Sequence, residues 1–160
     1  MIIKEFPTGT VNTNSIRSLL AQLKLHEDFV PDVIIVDYLE LLLPIRATDS
    51  DYIGQQRIAE ELRALAIEED VLLWTATQTN RTGRTVEIIT DTELADSYGK
   101  IRTADYAISL NQSTEEFDQG RMRVYVMKAR NGTPRKLIDT RVDYSTLLME
   151  EPYGNESEEA

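Results

Sequence analysis

The chain has no cysteine and a single histidine, His26. The first absence excludes disulfides and thiolate metal sites, and the second excludes a histidine-rich metal centre within one chain. No apolar run approaches the roughly 18 residues that a membrane span needs. The opening residues, MIIKEFPTG, lack the basic stretch followed by an apolar one that marks a secretory signal. Sequons such as Asn111, Asn131 and Asn155 therefore read as chance occurrences. What remains is a globular composition: 160 residues, 41% hydrophobic and 28% charged. That length suits about one domain, able to bury roughly 70% of the surface it exposes when unfolded.

The net charge of −11 argues at first against a nucleic-acid partner. It is unevenly spread. Residues 1–120 carry 21 acids and 10 bases, whereas residues 121–149 carry 2 acids and 7 bases. Residues 150–160 add five acids and no base, and read as an acidic disordered tail. One basic segment, residues 121–141, thus stands against an acidic background, and the overall sign does not decide the partner.

Along the chain, MII before Pro7 and Gly9 suggests a short entering strand. Asn14 or Ser15 can cap a helix whose stripe is Ile16, Leu19, Leu20 and Leu23. Pro31 precedes Val33-Ile34-Ile35-Val36, a β-branched run apolar on both faces, as a central strand covered by helices would be. A helix over residues 52–69 and a second buried strand over residues 71–76 complete a β-α-β unit. Residues 77–91 read as an irregular loop, residues 92–101 as a short helix and residues 106–110 as a strand. Alternating segments over 121–128, 135–141 and 144–149 follow, with Asn131-Gly132 as a hairpin signal between the first two. Trp74, Tyr106 and Tyr125 fall on strands and are expected in the core. His26 and the pairs Glu60-Glu61 and Glu68-Glu69 are expected on solvated faces. The fold class is α/β, with parallel central strands flanked by helices and a C-terminal antiparallel hairpin extension.

Ligands of open α/β sheets bind at the carboxyl ends of the parallel strands. Asp37 and Gln78 each follow such a strand, so an acid and an amide come to one edge, where they suit a hydrated metal and a phosphate or water. On pattern alone, Asp37 could instead merely cap a strand end, and Lys128 with Arg130 could be an ordinary basic hairpin face.

The order of these features resembles a known family. PDVIIVDYLELL resembles the Walker B strand of the RecA-like motor in DnaB-type replicative helicases. RIAEELRALAIEEDVLLWTATQTNR resembles the helix and strand leading to that family's S/T-Q-x-x-R motif, and LADSYGKIRTADYAISL its later helix-strand motif with an Ala-Asp pair, here Ala104-Asp105. VYVMKARNG matches its K-x-R-N-G, here Lys128, Arg130, Asn131 and Gly132. IIKEFPTGTVNTNSIRSLLAQLKL and ATQTNR are similar in particular to the helicases of T-even-type phages. The resemblance covers residues 1–149, with four motifs in order, and makes them a partial, incomplete RecA-like P-loop NTPase motor domain. It departs from the family in one respect. A phosphate-cradling P-loop needs G-x-x-x-x-G-K-[ST], but at Gly99-Lys100 the next residue is Ile101 and the first-glycine position holds Leu94.

The resemblance implies that Asp37 holds Mg²⁺ through water and that Gln78 senses the γ-phosphate of ATP. It implies that Lys128 and Arg130 act in trans on a neighbouring subunit's nucleotide, Arg130 as an arginine finger, within a hexameric ring. Arg46, and Arg81 with Arg84 in the next loop, would contact single-stranded DNA; Arg81 could instead cap a strand end or pair with Asp91. These cations would give salt-dependent, sequence-tolerant binding. The resemblance further implies that ATP and Mg²⁺ serve only the complete motor, that a P-loop half is a partner, and that the setting is the cytoplasm of an infected bacterial host, with no membrane. The chain alone is then inactive. Two other readings stand beside this one: a degenerate, non-catalytic RecA-like module that binds or regulates a helicase ring, and a Mg²⁺-dependent hydrolase using Asp37 with a second acid.

Overall fold

The computed structural model describes residues 1–78, 88–90 and 98–151. Tertiary contacts divide the chain into two compact units, residues 1–78 with 102–104, and residues 79–101 with 105–160.

The first unit opens without the expected strand: residues 1–7 have no regular structure. Pro7 has no N–H to give to a ladder, and backbone pairing starts only beyond it, where the Gly9 amide donates to Leu41 O and Asn12 bridges Leu43. Helix α1 (Thr13–Glu27) is capped by Asn12 rather than by Asn14 or Ser15. The Asn12 side chain accepts from the Asn14 and Ser15 amides at 3.0 and 3.2 Å, and Ser15 Oγ accepts from the Asn12 amide, a reciprocal capping box. Strands β1 (Val33–Val36) and β2 (Leu72–Thr75) lie parallel, Val33 opposite Leu72 and Val36 opposite Thr75, joined through helix α2 (Asp51–Glu68).

The core of this unit is Leu39, Leu42, Ile58 and Leu62, with Val36 and Leu73 packed against it. Leu65 on α2 and Thr13 at the start of α1 are fully buried. The alternate strand positions, Val33, Ile35, Leu72 and Trp74, are exposed; Ile35 is 75% and Trp74 47% accessible. Trp74 is therefore not a core residue. A run apolar on both faces predicts cover on both faces, and among the described residues only one face has it.

In the second unit, strands β3 (Tyr106–Asn111), β4 (Arg121–Ala129), β5 (Leu137–Asp143) and β6 (Leu148–Glu150) form an antiparallel sheet in chain order. β3, the strand expected over residues 106–110, pairs with β4 among the described residues. Helix α3 (Tyr98–Thr103) precedes β3, and the start of the helix expected over 92–101 lies outside the described residues. Helix α4 (Thr114–Asp118) is capped by Ser113 and Glu116. The Ser113 backbone amide, then Arg123, holds the Glu116 carboxyl below the ordinary range. Gly120, at φ 63°, admits no side chain: a Cβ there would lie 2.9 Å from Val142 O. Tyr106 is 54% exposed rather than buried, whereas Tyr125 is half-buried.

The β5–β6 turn rests on Asp143, whose carboxylate accepts from Ser145 Oγ at 2.7 Å and from the Ser145 amide at 2.8 Å. These bonds, with help from Thr146, pull its pKa from 3.8 to about 2. A depressed carboxyl stabilises the folded turn fully above its unfolded pKa and loses that contribution as pH falls through the folded value. Acid titration followed by β6 amide resonances is thus expected to loosen the wild-type turn between 3.8 and about 2, whereas Asp143→Asn removes that dependence. Identical titrations for the two chains would contradict this.

Candidate functional site

Asp37 stands one residue beyond β1, exposed and without a side-chain partner among the described residues. Gln78 stands beyond β2, and its Nε2 donates to the Tyr38 hydroxyl at 3.1 Å. Tyr38 adjoins Asp37 through a cis peptide bond. The acid and the amide thus share one strand edge, as the alternation of strand and helix predicts. The edge is laced together across β1 and β2. Thr75 Oγ1 donates to Val36 O at 2.9 Å, the Leu39 amide donates to Ala76 O at 3.3 Å, and the Thr77 hydroxyl donates to the Glu40 carboxylate.

This donor set decides what could be held here. No group of three His, Cys, Asp or Glu side chains among the described residues is placed to bind an ion. Mg²⁺, however, keeps several waters and often takes only one or two carboxylates together with substrate phosphates. A single exposed Asp37 fits that mode and no all-protein cage.

Arg46 is exposed and has no side-chain partner among the described residues. Its segment is anchored by Glu61, which departs from the expected solvated face of α2. Glu61 Oε1 accepts from the Ile45 amide at 3.0 Å, and Oε2 accepts from the buried Thr13 hydroxyl at 3.1 Å. Its carboxylate ties the loop after β1 to the first turn of α1. Arg81 and Arg84 lie outside the described residues.

In the second unit, Lys128 sits on β4 opposite Ala107, and its Nζ donates to Ile101 O at 3.2 Å. Arg130 follows one residue past the strand; its amide donates to Asp105 O, and its guanidinium pairs with the Asp105 carboxylate at 2.9 Å. Both partners of that ion pair are about half exposed, 48% and 47%. Such a surface pair contributes about 0–1 kcal/mol, so the guanidinium is readily given up to a better anion. Sequence reasoning missed Tyr38 and Glu61. The first is signalled only by adjacency to Asp37, and the second by no pattern, since its partners are 48 and 16 residues away.

No protein-family model matches the chain. In sequence it is 36% identical over 159 residues to the DnaB-like replicative helicase of Enterobacteria phage T4, an alignment covering 98% of this chain and 32% of that protein. The chain therefore spans about a third of the length of that relative. In fold it is similar to a solved ATPase domain, with a TM-score of 0.75 at 21% identity over 89% of this chain and 52% of that one. It is also similar to a DnaB-like replicative helicase whose structure was described with its interactions with primase, at a TM-score of 0.68 and 23% identity over 84% of this chain and 34% of that one. The chain is thus similar in sequence to about a third of a DnaB-like replicative helicase, and its α/β fold is that of the ATPase domains of such helicases.

Proposed function

We propose that these residues form the C-terminal part of a replicative helicase ATPase motor and work with a P-loop provided from outside the 160 residues. The supporting observation is the shared edge of β1 and β2, where Asp37, Tyr38 and Gln78 stand together at the end where α/β sheets bind ligands. Asp37 would hold hydrated Mg²⁺, which would supply charge compensation for phosphoryl transfer. Gln78, held by Tyr38, senses the γ-phosphate. Lys128 and Arg130 reach the nucleotide of a neighbouring subunit in a hexameric ring, Arg130 leaving Asp105 to do so. Arg46, Arg81 and Arg84 contact single-stranded DNA. The working place is the cytoplasm of the infected host.

The exposed stripe of Val33, Ile35, Leu72 and Trp74 favours a missing cover, because parallel sheets are ordinarily covered on both faces. The test is complementation. A fragment carrying the P-loop strand and helix of a DnaB-like motor is expected to co-purify with the chain and to restore ATP hydrolysis that the chain alone lacks. Failure to co-purify overturns the proposal. Co-purification without turnover favours the other reading, a degenerate module that binds a helicase ring without catalysing.

A further inference from the structure

The β4–β5 hairpin carries an irregularity that the motor reading does not use. The Arg135 amide donates to Val126 O at 2.6 Å, and the Val126 amide donates to Lys136 O at 2.8 Å. Two residues, Arg135 and Lys136, therefore face one, which is a β-bulge. In the bulge type whose first residue is left-handed, that position belongs to glycine. Here it is arginine, at φ 63°. On the other side of β4 the register also slips, Ile108 facing Val126 and Ala107 facing Lys128, so that Met127 is extra. Two bulges thus flank Val126 and concentrate the twist at the end of the hairpin that bears Lys128 and Arg130. Bulges of this kind re-aim side chains beside functional sites.

Arg135 occupies a backbone conformation that side chains other than those of glycine, asparagine and aspartate rarely adopt. It gains nothing visible in return: its side chain is exposed and makes no hydrogen bond or ion pair among the described residues, and the same holds for Lys136. We infer that Arg135 is a phosphate-binding cation, aimed with the hairpin end at the phosphate chain of a nucleoside triphosphate. This rests on the reading that the hairpin meets a nucleotide, and it adds a residue to that edge. Four cations lie within residues 128–136 of the sequence, and of these Arg135 and Lys136 are exposed and make no side-chain bond among the described residues. An extended nucleic-acid strand would need a track of cations, and residues 1–120 are strongly acidic. The planar guanidinium of arginine also matches phosphate oxygens in pairs.

The test titrates the 160-residue chain with inorganic tripolyphosphate at low salt, and separately with a single-stranded oligo-dT. Arg135→Gly and Arg135→Asn, both at ease in the left-handed conformation, are expected to weaken tripolyphosphate binding about tenfold, or about 1.4 kcal/mol. Neither lowers Tm, and oligo-dT affinity stays within a factor of about two. Unchanged tripolyphosphate binding overturns the inference. So does a greater loss for oligo-dT than for tripolyphosphate, or a fall in Tm, which would make Arg135 a structural residue. The motor reading fails separately: if Arg130→Ala spares turnover in the complemented motor while Arg135→Gly loses tripolyphosphate, Arg135 stands and the finger falls. The converse removes Arg135 alone.

Discussion

Replacing Arg130 by alanine in the complemented ring is expected to reduce ATP turnover by roughly 10³–10⁵-fold, the contribution a trans-acting arginine makes to phosphoryl transfer. The size of the effect follows from where charge develops. The transferring phosphoryl group spreads negative charge over its oxygens, and a guanidinium placed there compensates it without being consumed. The same substitution is expected to leave folding almost untouched, because Arg130 is half exposed and its pair with Asp105 belongs to the weak surface class. Function and stability therefore separate. The measurement is steady-state ATP hydrolysis beside a urea unfolding curve. A drop smaller than tenfold, with the ring still assembled, removes Arg130 from the proposed role.

The second large effect concerns stability. Leu65 is 0% exposed on α2, the crossover helix that positions β1 against β2. Leu65→Ala is expected to cost about 2–5 kcal/mol, from lost burial and from the cavity that neighbouring side chains fill only in part. A domain of this kind is stable by only about 5–15 kcal/mol, so the loss is a large share of the whole. Trp74 is the only tryptophan and lies in the same unit, so its fluorescence follows this transition. The urea midpoint is expected to fall with an unchanged slope, whereas Leu25→Ala, on the exposed side of α1, shifts it little. Equal midpoints for the two variants would contradict the packing described.

The elements that were legible in the sequence are those whose pattern is local. The helix expected over residues 52–69, the β-branched run of β1 and the position of Asp37 and Gln78 beyond their strands follow from periodicity and strand-end rules, and the structure has them. Asn131-Gly132 does lie between β4 and β5. The cap of α1 was misplaced because Asn12, Asn14 and Ser15 are all competent, and only geometry shows that the Asn12 side chain reaches the other two amides. The exposure of Ile35 and Trp74 was illegible for a different reason. An apolar run records the environment in which the strand works, not which residues provide the cover. Glu61 was missed because a carboxylate in a helix reads as solvated unless its distant partners are known. Arg135 was missed because no composition rule flags an arginine in a left-handed bulge.

The order of the strands also has a consequence for assembly of the chain. β3 to β6 are neighbours in both sequence and sheet, so each pairing closes a short loop. β1 and β2 meet only across residues 37–71, a far longer closure. Loop-closure entropy and contact order make such non-local parallel pairings the slower step. The hairpin bearing Lys128 and Arg130 is thus expected to form ahead of the strand edge carrying Asp37 and Gln78, an order that pulse-labelled amide exchange during refolding would read.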